Sequence, residues 1–170
     1  MGLSEKLEES FPNKIHAERP VVKPAGIKDA NWLRGFVEAE GCFQIIIQES
    51  KDKRINSISL RFTLTQDYLD SLLLESFVDY LGCGRWYPIS NRKEIYFIVS
   101  DIRDKIIPLF YEYPLIGTKK EDYLDFCKVV ELINSKDHLT EEGLEKIKVI
   151  KSNMNSRRIH YTSLLPINEI

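Results

Sequence analysis

Gly35 and Ala39 stand four residues apart in the stretch Trp32-Leu33-Arg34-Gly35-Phe36-Val37-Glu38-Ala39-Glu40-Gly41-Cys42-Phe43, and this spacing limits the chain more than any other feature in it. From Asp29 to Glu40 the pattern is helical, with Gly41 as a natural stop. Residues four apart on a helix share a face, and two small ones leave a strip against which a second backbone can pack closely. An interior glycine costs a helix about 1 kcal/mol relative to alanine, and a close neighbour at Gly35 gives that cost a reason. The plain alternative is an ordinary buried helix that carries small residues.

Two carboxylates, Glu38 and Glu40, fall in the last turn of this helix, where unpaired carbonyls and the negative dipole end disfavour more negative charge. A cation removes the conflict. A carboxylate beside bare carbonyl oxygens is a hard ligand set of the kind that suits magnesium. Residues two apart on a helix point to nearly opposite sides, so only one of the pair can face a shared symmetric site. For Glu40 the alternative is a solvated helix-end acid. For Glu38 a structural or solvated role is the primary reading.

The rest of the chain supplies a sheet and its cover. Phe43 to Glu49 and Ser57 to Gln66 are β-branched, alternating segments that read as a hairpin around Ser50-Lys51-Asp52-Lys53-Arg54. Within the second, Ile58, Leu60, Phe62 and Leu64 take one face, and Ser57, Ser59, Arg61, Thr63 and Thr65 take the other. Leu69 to Leu81 has helical spacing and ends in Gly82-Cys83-Gly84. Arg85 to Ser90 and Glu94 to Ser100 form a second hairpin around Asn91-Arg92-Lys93. A broken helix follows, limited by Pro108, and two more helices are predicted over Lys120 to Ile133 and Thr140 to Asn153, the last capped by Thr140. The order helix, hairpin, helix, hairpin, helices predicts an α+β fold: a four-stranded antiparallel sheet with helices on one face and the other face open and polar. No internal repeat is found.

Leu33 to Gly41, reading L-R-G-F-V-E-A-E-G, resembles the signature of the LAGLIDADG homing endonucleases, and Cys42-Phe43 continues in the style of that family. The resemblance extends from about Asn31 to Asn155. It implies the family's curved sheet, a DNA-binding saddle that lies in the major groove, and site-specific double-strand DNA cleavage dependent on a divalent metal. Mg2+ is the implied cofactor, with Ca2+ or Mn2+ able to stand in for it in crystals. By position, Glu40 would bind the metal with help from the Ala39 backbone carbonyl. Gln66, in Thr65-Gln66, resembles the family's water-positioning polar residue, and Lys119 its active-site lysine. The implied base-reading face is Gln44, Ile46, Gln48, Ser59, Arg61, Thr63, Arg85, Tyr87, Tyr96 and Ile98, unless that face is merely wet. Arg61 and Arg85 are the strongest single candidates, because a guanidinium matches guanine with two hydrogen bonds. Lys51, Lys53, Arg54, Arg92 and Lys93, at the hairpin loops, are placed for phosphates.

Members of that family carry two signatures in one chain or one signature in a chain that dimerises, and this sequence has one. The resemblance therefore implies a homodimer through Trp32, Gly35, Phe36 and Ala39, a palindromic or nearly palindromic target, and short 3′ overhangs. Residues 1–26 resemble the linker between the halves of single-chain members, so an engineered carboxy-terminal half is one expectation; residues 27–155 form the endonuclease domain, and 156–170 a tail. Arg34 replaces a commonly small residue, and both acidic positions are Glu rather than Asp.

Composition narrows the field without choosing within it. The 24 Lys+Arg nearly balance 26 Asp+Glu, so any DNA face must be local rather than a property of the whole chain. With 43% hydrophobic residues over 170 positions the chain can bury one core, hardly two. Three scattered cysteines give neither a disulfide framework nor a zinc site, and a reducing compartment fits. No apolar run reaches the roughly 18 residues of a membrane span, so a soluble intracellular protein is expected, with organellar origin implied by the resemblance. Two rivals stay open: a non-cleaving DNA- or RNA-binding module of the same fold, such as an intron maturase or transcription regulator, and a purely structural dimerisation domain.

Overall fold

The computed structural model describes residues 5–13, 26–48 and 57–158. Residues 14–25 of the linker-like opening, the hairpin-loop residues Lys51, Lys53 and Arg54, and the tail beyond Arg158 lie outside the described residues. A short helix α1 spans Glu5–Ser10. Helix α2 spans Ala30–Glu40 and starts where Asp29 accepts the backbone N–H groups of Asn31 and Trp32, at 2.8 and 2.9 Å. That cap satisfies two of the donors every helix start leaves open.

Strand β1, Gly41–Gln48, follows α2 without a connecting residue. Gly41 stops the helix where the sequence predicts, and does so with an extended backbone, at a φ of −69° and ψ of 145°. The reason for glycine here is space. A Cβ would lie 2.6 Å from Val37 Cγ1, 2.7 Å from Val37 O and 3.3 Å from Phe62 Cε2. The helix end is thus pressed onto the sheet.

Strand β2 covers Ser57–Asp67, followed by a 3-10 turn and helix α3, Ser71–Leu81. Strands β3, Arg85–Pro88, and β4, Glu94–Val99, make the second hairpin. All pairings are antiparallel, in the order β1-β2-β4-β3. Pro108, expected to limit the next helix, instead stands in the first turn of α4, Ile107–Glu112, where its missing N–H leaves nothing unpaired. A π-helical turn over Ile102–Ile106 leads into it. Helix α5 spans Thr118–Asn134 and α6 spans Glu141–Ser152, with Thr140 Oγ accepting from Gly143 N at 3.0 Å.

The core lies between one sheet face and the helices. Phe43, Phe62 and Phe97 from the strands meet Phe77 of α3, Phe110 of α4 and Phe126 of α5, all essentially solvent-free. Their rings touch in tilted or edge-on pairs with centroids 5.3 to 6.0 Å apart, the arrangement the ring quadrupole favours. Tyr123 joins them and donates its hydroxyl to Ile107 O at 3.0 Å. Burial raises its pKa, and a hydrogen bond with Cys127 adds to the shift.

Candidate functional site

The pleat sorts the strand residues in two. Phe43, Ile45, Phe62, Leu64, Ile95, Phe97 and Val99 face the helices, and the residues between them face away. Registration then fixes rows across the open face. One row runs Cys42, Thr63, Ile98, Arg85; another runs Thr65, Tyr96, Tyr87; Gln44 pairs with Arg61 and Ile46 with Ser59. Every residue named from the sequence for base reading therefore shares one surface, including Gln48, which pairs with Ser57. Near its centre Thr63 is only 2% exposed, so its hydroxyl lies beneath longer neighbours. Arg61 and Arg85 line one concavity of about 460 Å³ with Tyr87, Ile98, Ser100 and Asp101. Asp101 was not foreseen: it adds an acid at the rim beside two guanidinium groups, and it follows the strand end, where alternation gives no signal. At the β3–β4 turn Arg92 and Lys93 are exposed, and Arg92 reaches Glu94 at 3.5 Å.

At the other end of the logic stands α2. Glu40 is exposed at its last position, with Ala39 also exposed before it. Glu38 points elsewhere, as the spacing requires. Its Oε1 accepts the backbone N–H groups of both Ile116 and Gly117, the second at 3.1 Å. A Cβ on Gly117 would lie 2.7 Å from Glu38 Oε2, so glycine is what lets the carboxylate come this close. Gly117 immediately precedes α5, and Lys119, half-buried, stands in the first turn of that helix. The first acid of the pair thus ties the lysine-bearing helix start to the helix that carries the second acid.

Thr65 and Gln66 are split by the pleat. Thr65 lies on the open face, while Gln66, registered with Ile95, takes the helix-covered side. Gly41 pairs with Leu64, so β2 runs on past the start of β1, and Gln66 lies in that overrun, at the edge where α2 ends. Among the described residues, no hydrogen bond or ion pair joins Glu40, Gln66 and Lys119 to one another; the fold brings their backbones to one end of the sheet. No group of three or more His, Cys, Asp or Glu side chains converges among the described residues. An exposed carboxylate at a helix end, as at Glu40, beside the last carbonyl oxygens of that helix is a set of hard oxygen donors of the kind that could hold a magnesium-like ion.

The strip on α2 is open. A Cβ built on Gly35 would meet nothing within 4 Å, and Trp32 is 37% exposed. Phe36, expected beside them at an interface, is half-buried and packs on Phe77 of its own chain at 5.3 Å, as well as on Trp32 at 5.4 Å.

The LAGLIDADG endonuclease family model matches residues 33–130, more than half of the chain, and the chain belongs to this family. The probable intron-encoded endonuclease 3 of Neurospora crassa is 34% identical over 154 residues, covering 88% of this chain and 29% of that protein. Among solved structures, the I-SmaMI LAGLIDADG homing endonuclease bound to cleaved DNA superposes with a TM-score of 0.85 at 40% identity, covering 93% of this chain and 54% of that one. I-SmaMI bound to an uncleaved DNA target in the presence of calcium ions gives a TM-score of 0.84 at 41% identity over 91% of this chain and 54% of that one. The chain spans about half the length of the solved structures and under a third of the Neurospora protein.

Proposed function

We propose that this chain is one half of a site-specific double-strand DNA endonuclease, completed by a second copy that packs against α2. The observation that carries the reading is the open α2 strip, Gly35 and Ala39, ending in the exposed Glu40 at the edge of the sheet face that the helices leave uncovered. Two such strips related by a two-fold axis bring two Glu40 side chains together, one per DNA strand. The relation to I-SmaMI, about twice the length and solved on DNA, supports a two-domain assembly.

Residues 27–155 are the catalytic unit. The open face lies on the duplex, with Arg61 and Arg85 reading guanine edges and Arg92 and Lys93 touching phosphates. Glu40 and the Ala39 carbonyl would hold a divalent cation, Mg2+ in solution, and calcium in the solved I-SmaMI complex is consistent with that donor chemistry. Such an ion, when bound, stabilises charge on phosphate oxygens and lowers the pKa of water. Gln66 orients water as a donor and acceptor, and Lys119 sets a positive charge beside the developing negative one. Glu38 holds the α5 start, and with it Lys119, against α2. Hydrolysis of one phosphodiester per strand leaves short 3′ overhangs at a palindromic or nearly palindromic site. The relatives' names place them within introns, and an organellar origin follows the same line.

The test is cleavage. With Mg2+ the chain is expected to linearise a plasmid carrying its target, selected from a randomised duplex pool, and EDTA or Glu40→Gln is expected to abolish this while DNA binding persists. Binding with no cuts under Mg2+ would replace this reading with a non-cleaving module; a monomer on DNA in analytical ultracentrifugation would remove the dimer.

A further inference from the structure

Strand β1 is an outer strand of the sheet, and part of its edge is covered. A 3-10 turn over Asn155–Arg157, just after α6, is fastened against that outer edge. Asn155 Nδ2 donates to Phe43 O at 3.0 Å, and Cys42 Sγ lies 3.4 Å from Asn155 Oδ1. Asn155 N donates to Asp122 Oδ1 at 2.9 Å, and these bonds hold Asn155 at a φ of 57°, which a non-glycine residue rarely takes. Next to it Arg158 is fully engaged, with Nη2 at 2.9 Å from Asp122 and 2.6 Å from Asp125.

Lys151 and Arg157 are placed differently. Among the described residues neither side chain has a hydrogen-bond or carboxylate partner. Both line a concavity of about 280 Å³ with Cys42, Gln44, Ile46 and Ser156. Cys42, Gln44 and Ile46 point to the open sheet face, and Ile45 and the buried Met154 also line it, so the concavity follows the β1 edge and borders the surface that carries the strand rows. From Lys146 to Arg158 the chain holds five basic residues and no acidic one, although the whole chain is slightly acidic. An uncompensated pair of cations flanking the sheet face proposed to accept a duplex is the arrangement that neutralises phosphates without reading bases.

We infer that Lys151, Ser156 and Arg157 form a phosphate-binding rim that grips the DNA backbone beside β1, extending the contact surface past the domain boundary that the sequence places at residue 155. The inference rests on the proposed DNA-binding face. Its test is the salt dependence of affinity, measured by fluorescence anisotropy on a mixed-sequence duplex from about 50 to 200 mM salt. Relative to the unaltered chain, Lys151→Gln with Arg157→Gln is expected to reduce the slope of log K against log salt by about 2, since each neutralised phosphate contributes about 0.9. Site preference in a randomised pool should be unchanged. Lys146→Gln, which removes a like charge facing the α5–α6 groove, should leave the slope alone. A slope in the double variant equal to that of the unaltered chain would overturn the rim while leaving the sheet reading intact. Absence of salt-dependent binding by the unaltered chain would overturn both. Circular dichroism of the double variant identical to the unaltered chain excludes loss of fold as the cause.

Discussion

The two faces of the sheet are built from the same strands and differ in almost every other respect. One presents Phe43, Phe62, Leu64, Ile95, Phe97 and Val99, all at 1% exposure or less. The other presents Gln44, Arg61, Thr65, Tyr87 and Tyr96, whose polar atoms stay within reach of an incoming partner. Stability resides in the first face, and the recognition we propose is assigned to the second. Because side chains alternate with a period of 2, the two sets cannot exchange without a register slip that would unfold the core.

The sharpest break of that comparison is on the covered side. Phe97→Ala is expected to destabilise the fold by about 3–5 kcal/mol in urea denaturation, through lost burial and the cavity left behind. Next comes the staple that closes the sheet edge: Asp122, 3% exposed, pairs with Arg158 and Asn155. Asp122→Ala removes the buried acceptor shared by Arg158 and the Asn155 backbone N–H, while Asp125 still pairs with Arg158, and should cost about 2–3 kcal/mol in the same assay.

On the open side the balance reverses. Arg61→Ala should change the unfolding free energy from urea denaturation by less than about 0.5 kcal/mol. In binding titrations on the selected target it should weaken affinity by about 1–3 kcal/mol and relax preference at one base pair. An equal loss on all sequences would assign Arg61 to phosphate instead.

Two glycines of the signature sharpen the point further. Gly35→Ala adds a methyl that meets nothing in its own chain and removes a helix-interior glycine, so the isolated domain should gain up to about 1 kcal/mol. The same substitution should weaken pairing in sedimentation if the strip is an interface. At Gly41 a methyl meets Val37 and Phe62 and should destabilise the domain.

The smallest effect is one of pH. Burial disfavours charge on Asp125, but hydrogen bonds from Lys128 and Arg158 outweigh it and hold its carboxyl below the usual range. A depressed folded-state value means its stabilisation is present above about pH 4, the unfolded value, and fades as pH falls through the lower folded one. Urea midpoints taken across acid pH should show this decline, and Arg158→Gln should flatten it.

Much of this architecture was legible in the residues. The period-2 run from Ser57 to Thr65 assigned each side chain to a face, and registration kept that assignment. Thr140 and Gly82 marked a helix start and a helix end where they occur, because capping and left-handed turns depend on local chemistry. Spacing set Glu38 and Glu40 on opposite sides of the helix and the family resemblance chose between them; Glu38 is bonded to Ile116 and Gly117. Pro108 was misplaced by its ambiguity: proline begins helices as readily as it limits them.

By itself, then, the order of residues determined the elements, the face each strand residue takes and the family, since these follow from periodicity and a contiguous signature. Only the tertiary structure decided that Gly41 is small because Val37 and Phe62 crowd it, that Glu38 clasps the start of α5, and that Asn155 pins a basic rim onto β1. Those pairings join residues up to 113 positions apart, and distance along a chain carries no trace of proximity until the core has closed.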